Sequence, residues 1–196
     1  MGTTTAPIKM RYEEDADMRE VLFSADVLAA KVAELGKQIS EDFAGKPVVL
    51  LGVATGAFLF LADLARAISL PVQIDFVKAA SYGVGTTSSG AVAITKDTVL
   101  DLVGQNVIVV EDIIDTGHTL NKLVKHLSHK APATVSVCAL LNKEARRVVS
   151  IEYPPGGKEY IGFPSPDEFV VGYGLDFAER YRSLPYIGIL KPEIFS

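Results

Sequence analysis

The sequence predicts an α/β fold: a mostly parallel β-sheet with helices on both faces. Three observations lead there. Short, almost wholly apolar runs at residues 48–53, 106–110 and 134–141 read as strands buried on both sides. Between them lie segments whose apolar residues recur at helical spacing. Repeated alternation of such strands and helices is the pattern from which parallel sheets are built.

Taken in order, a polar leader is followed by Leu28, Val32, Leu35 and Ile39 at helical spacing, with Ser24 placed to cap the helix and Gly45 beyond its end. The strand at 48–53 comes next. Leu61, Leu64, Ala65 and Ile68 then mark a helix that stops before Pro71, since proline disfavours helical backbone in the residue preceding it. A strand is expected at 72–77. Residues 81–90, rich in Gly, Ser and Thr without apolar periodicity, predict a mobile loop. A short strand at 91–95 and a strong one at 106–110 follow. Leu120, Leu123, Val124 and Leu127 line one face of a helix, and 134–141 is the next strand. In the last third, Pro154, Pro155, Gly156, Gly157, Pro164 and Pro166 break any long element, leaving short strands around 169–171 and 186–190. Without an internal repeat, charge block or low-complexity linker, residues 1–196 are expected to form a single domain with an irregular C-terminal flap.

With 196 residues, 48% of them hydrophobic, the chain can bury a substantial core. A formal charge of -5 and a pI near 5.2 argue against a nucleic-acid binder driven by electrostatics, so small-molecule partners are expected. The single cysteine, Cys138, has no intramolecular disulfide partner, and no secretory leader is legible, which predicts a cytoplasmic protein. Cys138 lies in an apolar run and is read as a packing residue. The longest uncharged stretch, 47–62, falls short of the roughly 20 residues a membrane span needs and is interrupted by Gly52, Thr55 and Gly56. The opening residues imitate a myristoylation signal, but Ala6 stands where Ser or Thr is required, so no membrane partner is expected. His126 and His129 have a spacing compatible with a metal, with no third ligand evident nearby.

The segment 107–119 carries the chemistry. An apolar strand ends in Glu111 and Asp112, and Asp115, Thr116, Gly117, His118 and Thr119 then open a helix. Ligands bind parallel sheets at such carboxyl ends. Successive N–H groups, the Thr116 and Thr119 hydroxyls and the helix N-terminus can cradle a phosphate, while Gly117 permits close backbone approach. Carboxylates beside an anion site repel it unless they face sugar hydroxyls or a divalent cation, so a phosphorylated sugar with Mg²⁺ satisfies both. Ordinary acidic capping of a helix is the alternative reading of the same residues.

Here the chain resembles the type I phosphoribosyltransferases, whose phosphoribosyl pyrophosphate motif runs through four apolar residues, two acids and an acid-Thr-Gly turn. It is similar to the hypoxanthine-guanine branch over most of its length: Val53-Ala-Thr-Gly56, Ser81-Tyr82, Ser88-Ser89-Gly90, Lys143 after a strand, and Phe169-Val-Val-Gly-Tyr173 followed by Leu175-Asp176. The resemblance implies a Rossmann-like, mostly parallel sheet flanked by helices, with a small irregular hood formed by the terminal segments. It also implies an enzyme joining hypoxanthine or guanine to phosphoribosyl pyrophosphate, with Mg²⁺ as cofactor and the chain assembled as a homodimer or homotetramer.

By that resemblance, Glu111 and Asp112 hold the ribose hydroxyls directly or through Mg²⁺, and Asp115 is the catalytic residue beside purine N7. The 5′-phosphate lies in the turn Asp115, Thr116, Gly117, His118, Thr119. Thr55, Gly56 and Arg182 meet pyrophosphate, and Asp176 binds a second Mg²⁺. Lys143 donates to the base O6, Phe169 stacks on the purine and the Val170 backbone reads its other edge. Ser81 and Tyr82 close over the reacting centre as a lid loop. The chain departs from the family where relatives carry a basic residue at Thr55 and a lysine at His118. Read without the family, Lys143, Asp176 and Arg182 are surface charges and Phe169 and Val170 are strand core. Three rivals remain: a sibling transferase for adenine, xanthine or a pyrimidine, an RNA-binding regulator on the same fold, and a sugar-phosphate module without turnover.

Overall fold

The structure is a computed structural model that describes residues 12–82 and 91–195. Its elements are β1 (Met18–Phe23), α1 (Ala25–Asp42), β2 (Val48–Val53), α2 (Phe58–Ala67), β3 (Val72–Tyr82), β4 (Ala91–Lys96), β5 (Asn106–Ile114), α3 (His118–Ser128), β6 (Thr134–Asn142), β7 (Glu159–Pro164), β8 (Val170–Val171), β9 (Ile187–Leu190) and α4 (Pro192–Phe195). Two sheets result: one of six strands in the order β4-β3-β2-β5-β6-β7, the other of three in the order β1-β9-β8.

In the larger sheet, β2, β3, β5, β6 and β7 pair in parallel and β4 joins β3 antiparallel. The apolar runs have a plain cause: alternate side chains enter two different cores. Val48, Leu50, Ile108, Val110, Cys138 and Leu140 pack under α1 and α2, whereas Val49, Leu51, Val107, Val109, Val135 and Val137 pack under α3. Gly36 lets the two helices on the first face touch, for a Cβ there would lie 2.6 Å from Ala67 Cβ. Ser24 caps α1 by accepting from the Val27 N–H at 3.4 Å, as its position predicts. Cys138 is fully buried and burial pushes its thiol pKa up, in keeping with a packing role. His126 faces Asp97 Oδ2 at 2.8 Å.

Several boundaries differ from expectation. Strand β3 continues through Ser81 and Tyr82, because β4 pairs with it in antiparallel register as far as Tyr82 opposite Ala91. The first two residues of the expected loop are thus strand, and its remainder, 83–90, lies outside the described residues. Strand β5 runs four residues beyond Val110, since β6 pairs with it up to Ile114 opposite Asn142. Asp75 fastens the return from β4, accepting from Thr98 Oγ1 at 2.7 Å, the Val99 N–H at 2.9 Å and Lys96 Nζ at 3.2 Å. Burial alone would raise its pKa, but these bonds and one from the Phe76 N–H outweigh it and hold the carboxyl far below its ordinary range.

The hood forms from the two termini as expected, but it is an ordered antiparallel sheet. The polar leader contributes β1, which pairs with β9 from Met18 opposite Leu190 to Phe23 opposite Ile187. Only Met18 of that strand is buried, so its sequence lacks the alternation that announces a strand. The other missed strand, β7, is the edge of the large sheet. It buries Tyr160 alone and ends in Pro164, which an edge tolerates. Among the described residues, no helix is long and apolar enough to cross a membrane.

Candidate active site

Strand order reverses at β2: the chain passes from β2 to β3 on one side and returns to β5 on the other. The segments that follow β2 and β5 thus leave toward opposite faces, α2 on one and α3 on the other, which opens a crevice at the carboxyl ends, the usual ligand position in such sheets. A cavity of about 290 Å³ opens there. Its walls are the turn after β2 (Val53, Ala54, Thr55, Gly56), the end of β5 through the turn that starts α3 (Glu111 to Gly117, and Thr119), and Asp176 with Arg182 from the C-terminal segment.

The turns approach closely because glycines permit it. Gly117 has φ +87, and a Cβ there would fall 2.3 Å from the Val149 carbonyl oxygen. The N–H groups of Val148 and Val149 both donate to Thr116 O at 3.0 Å, fixing the turn from beneath. In the N-terminal turn of α3, the N–H groups of residues 116–119 donate to no described backbone carbonyl, which leaves them for an anion. On the opposite wall the Ala54–Thr55 peptide is cis. A Cβ on Gly56 would lie 1.7 Å from Asp112 Oδ2, and one on Gly174 would lie 2.0 Å from the Gly56 carbonyl oxygen. Three chain segments therefore meet at Gly56.

The acids differ sharply in environment. Glu111 is 9% exposed, and burial pushes its pKa well above the usual carboxylate range, the neighbouring Asp112 charge adding to the effect. Burial raises Asp112 as well, opposed by hydrogen bonds from Glu111 and from the Ile113 N–H, which lies 2.7 Å from Asp112 Oδ1. Among the described residues, no group of three or more His, Cys, Asp or Glu side chains converges to cage a metal. A hard cation at Glu111 and Asp112 would therefore complete its shell with water and substrate oxygens, and two carboxylates suit that mode of binding.

A second cavity of about 270 Å³ adjoins the first, sharing Asp112, Ile113, Asp115 and Asp176 and adding Lys143, Phe169, Val170 and Leu175. Lys143 Nζ donates to the Glu168 carbonyl at 2.7 Å, and burial lowers its pKa. Phe169 is 37% exposed, while Val170 is buried and paired with Ile189 of β9. Asp115, between the cavities, accepts from Arg146 Nε at 2.8 Å. Arg182 donates to Gly174 O at 2.8 Å and pairs with Asp176 at 2.9 Å.

Most residues singled out from the sequence thus converge on these cavities: Thr55, Gly56, Glu111, Asp112, Asp115, Thr116, Gly117, Thr119, Asp176 and Arg182 line the first, and Lys143, Phe169 and Val170 the second. His118 is the member of the turn that lines neither. The side chains of Ser81 and Tyr82 lie outside the described residues. Sequence reasoning did not name Val53, Ala54, Ala79, Ile113, Ile114, Leu120 or Leu175 as site residues, nor Arg146 as the partner of Asp115. Ile113 and Ile114 carried a signal in their place within the acidic window, and Leu175 in its place beside Asp176.

The description "Phosphoribosyl transferase domain" matches residues 21–178 of the chain. A bifunctional protein TilS/HprT of Listeria innocua is 47% identical over 92% of this chain, which spans only 27% of that protein's length. The hypoxanthine phosphoribosyltransferase of Escherichia coli K12 is 46% identical over 86% of this chain and 93% of its own. The crystal structure of a hypoxanthine phosphoribosyltransferase from Staphylococcus aureus superposes with a TM-score of 0.88 at 40% identity, covering 96% of this chain and all of the other.

Proposed function

The chain belongs to the phosphoribosyl transferase domain family, and we propose that it transfers the phosphoribosyl group of phosphoribosyl pyrophosphate to hypoxanthine or guanine, yielding IMP or GMP and pyrophosphate. One observation carries this reading: two cavities, one walled by an anion-binding turn and the other by a lysine and an aromatic ring, share Asp112, Asp115 and Asp176. A sugar phosphate in the first and a planar base in the second bring their reacting atoms together at that shared wall.

The 5′-phosphate sits on the N–H groups and hydroxyls of residues 115–119, with His118 beside them in the chain. Glu111 and Asp112 hold the ribose hydroxyls, and Thr55, Gly56 and Arg182 hold pyrophosphate. Glu111 and Asp112 would hold one Mg²⁺ and Asp176 a second, and the ions would supply positive charge to the leaving pyrophosphate. The purine stacks on Phe169, Lys143 donates to O6, and the Val170 backbone reads the far edge. Adenine offers an amino donor where O6 accepts, and two buried donors face to face are costly. Purine N9 attacks the anomeric carbon with its lone pair. The bond from that carbon to pyrophosphate oxygen breaks, its electron pair leaving with pyrophosphate, and the N7 proton passes to Asp115. Nearby carboxylates stabilise the positive charge that develops on the ribose. Ser81 and Tyr82 are the lid residues of this reading, closing over the centre to exclude water.

On this reading residues 1–196 act as one phosphoribosyltransferase domain, in the cytoplasm and as a homodimer or homotetramer. The direct test supplies phosphoribosyl pyrophosphate and Mg²⁺ with hypoxanthine, guanine, xanthine, adenine, uracil or orotate in separate reactions and separates the products by chromatography. Nucleotide from hypoxanthine or guanine is expected. Preference for adenine or a pyrimidine would overturn the role given to Lys143.

A further inference from the structure

The ring proposed to carry the purine is itself carried by other rings. Phe195, from α4, stacks on Phe169 with centroids 5.0 Å apart and planes 24° from parallel, and Phe177 meets Phe169 edge-on at 5.3 Å and 85°. Phe169 lines the second cavity and Phe195 lines neither cavity, so Phe195 covers Phe169 away from the space that takes the base. Helix α4 is held in place independently of that contact. Ile194 packs against the buried cluster that includes Met18, Tyr186 and Leu190, the Lys191 N–H donates to Asp17 O at 3.0 Å, and Lys191 Nζ reaches Ala16 O at 2.6 Å. The backbone of Phe169 is also pinned, its carbonyl accepting from the Leu190 N–H at 3.0 Å.

We infer that Phe195 is a positioning residue for the base: it fixes the plane of the Phe169 ring before the purine arrives. The inference rests on the purine-stacking reading of Phe169. A phenyl ring more than a third exposed, with nothing behind it, samples orientations that must be given up when a base stacks on it. An offset-stacked ring on one side and an edge on another remove that freedom in advance, and interactions made without fresh ordering bind more tightly. The effect is expected on base binding, because Phe195 meets Phe169 and lines neither cavity.

Steady-state kinetics on the full chain, varying hypoxanthine and phosphoribosyl pyrophosphate in turn, test this. Phe195→Ala is expected to raise KM for hypoxanthine roughly 2- to 10-fold, the span of an aromatic pair contact, while KM for phosphoribosyl pyrophosphate and kcat stay within twofold. Phe195→Tyr restores the hypoxanthine KM and Phe195→Leu does not, since the ring plane and not the bulk is what matters. Phe169→Ala serves as reference. If it raises the hypoxanthine KM and Phe195→Ala does not, the inference fails while the reading of Phe169 stands. A rise of both substrates' KM in Phe195→Ala, or full rescue by leucine, reduces Phe195 to a structural contact and overturns the inference. An unchanged KM in Phe169→Ala removes the stacking role and the inference with it.

Discussion

Gly56→Ala isolates the contact on which the site is organised. An added Cβ would lie 1.7 Å from Asp112 Oδ2 and 2.7 Å from its Cγ, both well inside ordinary contact. Two escapes exist. The Asp112 side chain can rotate away and lose the 2.7 Å bond from the Ile113 N–H, or the turn at 54–57 can retreat and disturb Gly174, which seats against the Gly56 carbonyl oxygen. Either route costs about 1–3 kcal/mol, through a lost charge-assisted bond or overpacking, which for a chain of this length lowers Tm by about 3–10 °C. Catalysis suffers more, because a misplacement of about 1 Å at reacting groups reduces rate on the order of 100-fold. Thermal unfolding by circular dichroism and an assay of IMP formation measure the two effects separately. Gly45→Ala is the control. Gly45 also has positive φ, +73, but nothing lies within 4 Å of the added carbon. That variant is expected to lose about 1 kcal/mol and no activity. A folded Gly56→Ala protein with activity within threefold of the parent would refute the reasoning.

Asp115→Asn is expected to lower kcat by roughly 10²- to 10⁴-fold, the usual contribution of a general base, with little change in Tm because the carboxylate is half exposed; parental turnover would remove Asp115 from proton transfer. Glu111 has its folded-state pKa raised by burial, so its contribution to stability is fully present below the unfolded value near 4.5 and is lost as pH rises through the folded value. Without divalent cation, the Tm of Glu111→Gln minus that of the parent should therefore grow from pH 5 to pH 8, and a difference independent of pH would contradict the burial argument. Asp75 is the opposite case: its depressed pKa means that stability is present above the unfolded value of about 3.8 and is lost as pH falls. Asp75→Ala is expected to lose about 2–3 kcal/mol at neutral pH and less in acid, with activity of the folded fraction retained, which urea unfolding at several pH values reads directly.

The legible part of this protein is the part in which neighbours in sequence are neighbours in space. The apolar runs of β2, β5 and β6 announce a sheet buried on both faces because each alternate side chain must enter a core. Glu111, Asp112 and the turn 115–119 form one contiguous segment, so their chemistry is visible without knowing what lies opposite. Lys143, Phe169, Asp176 and Arg182 have no local pattern that separates them from ordinary surface or core, and only resemblance to a family marked them. Strands β1 and β7 escaped notice because an edge strand that buries a single side chain needs no alternation.

By itself, then, the sequence determined the alternation of strand and helix, the two-faced core and the acidic phosphate turn, all properties of short-range periodicity and residue type. Tertiary structure alone decided the rest: that the strand order reverses at β2, that Asp112 closes on Gly56 and Arg146 on Asp115, and that Phe195 backs Phe169. Those contacts join residues 26 to 56 positions apart, and no local preference of either partner encodes them. They exist because the sheet order and the pairing of the terminal strands bring distant segments to one edge.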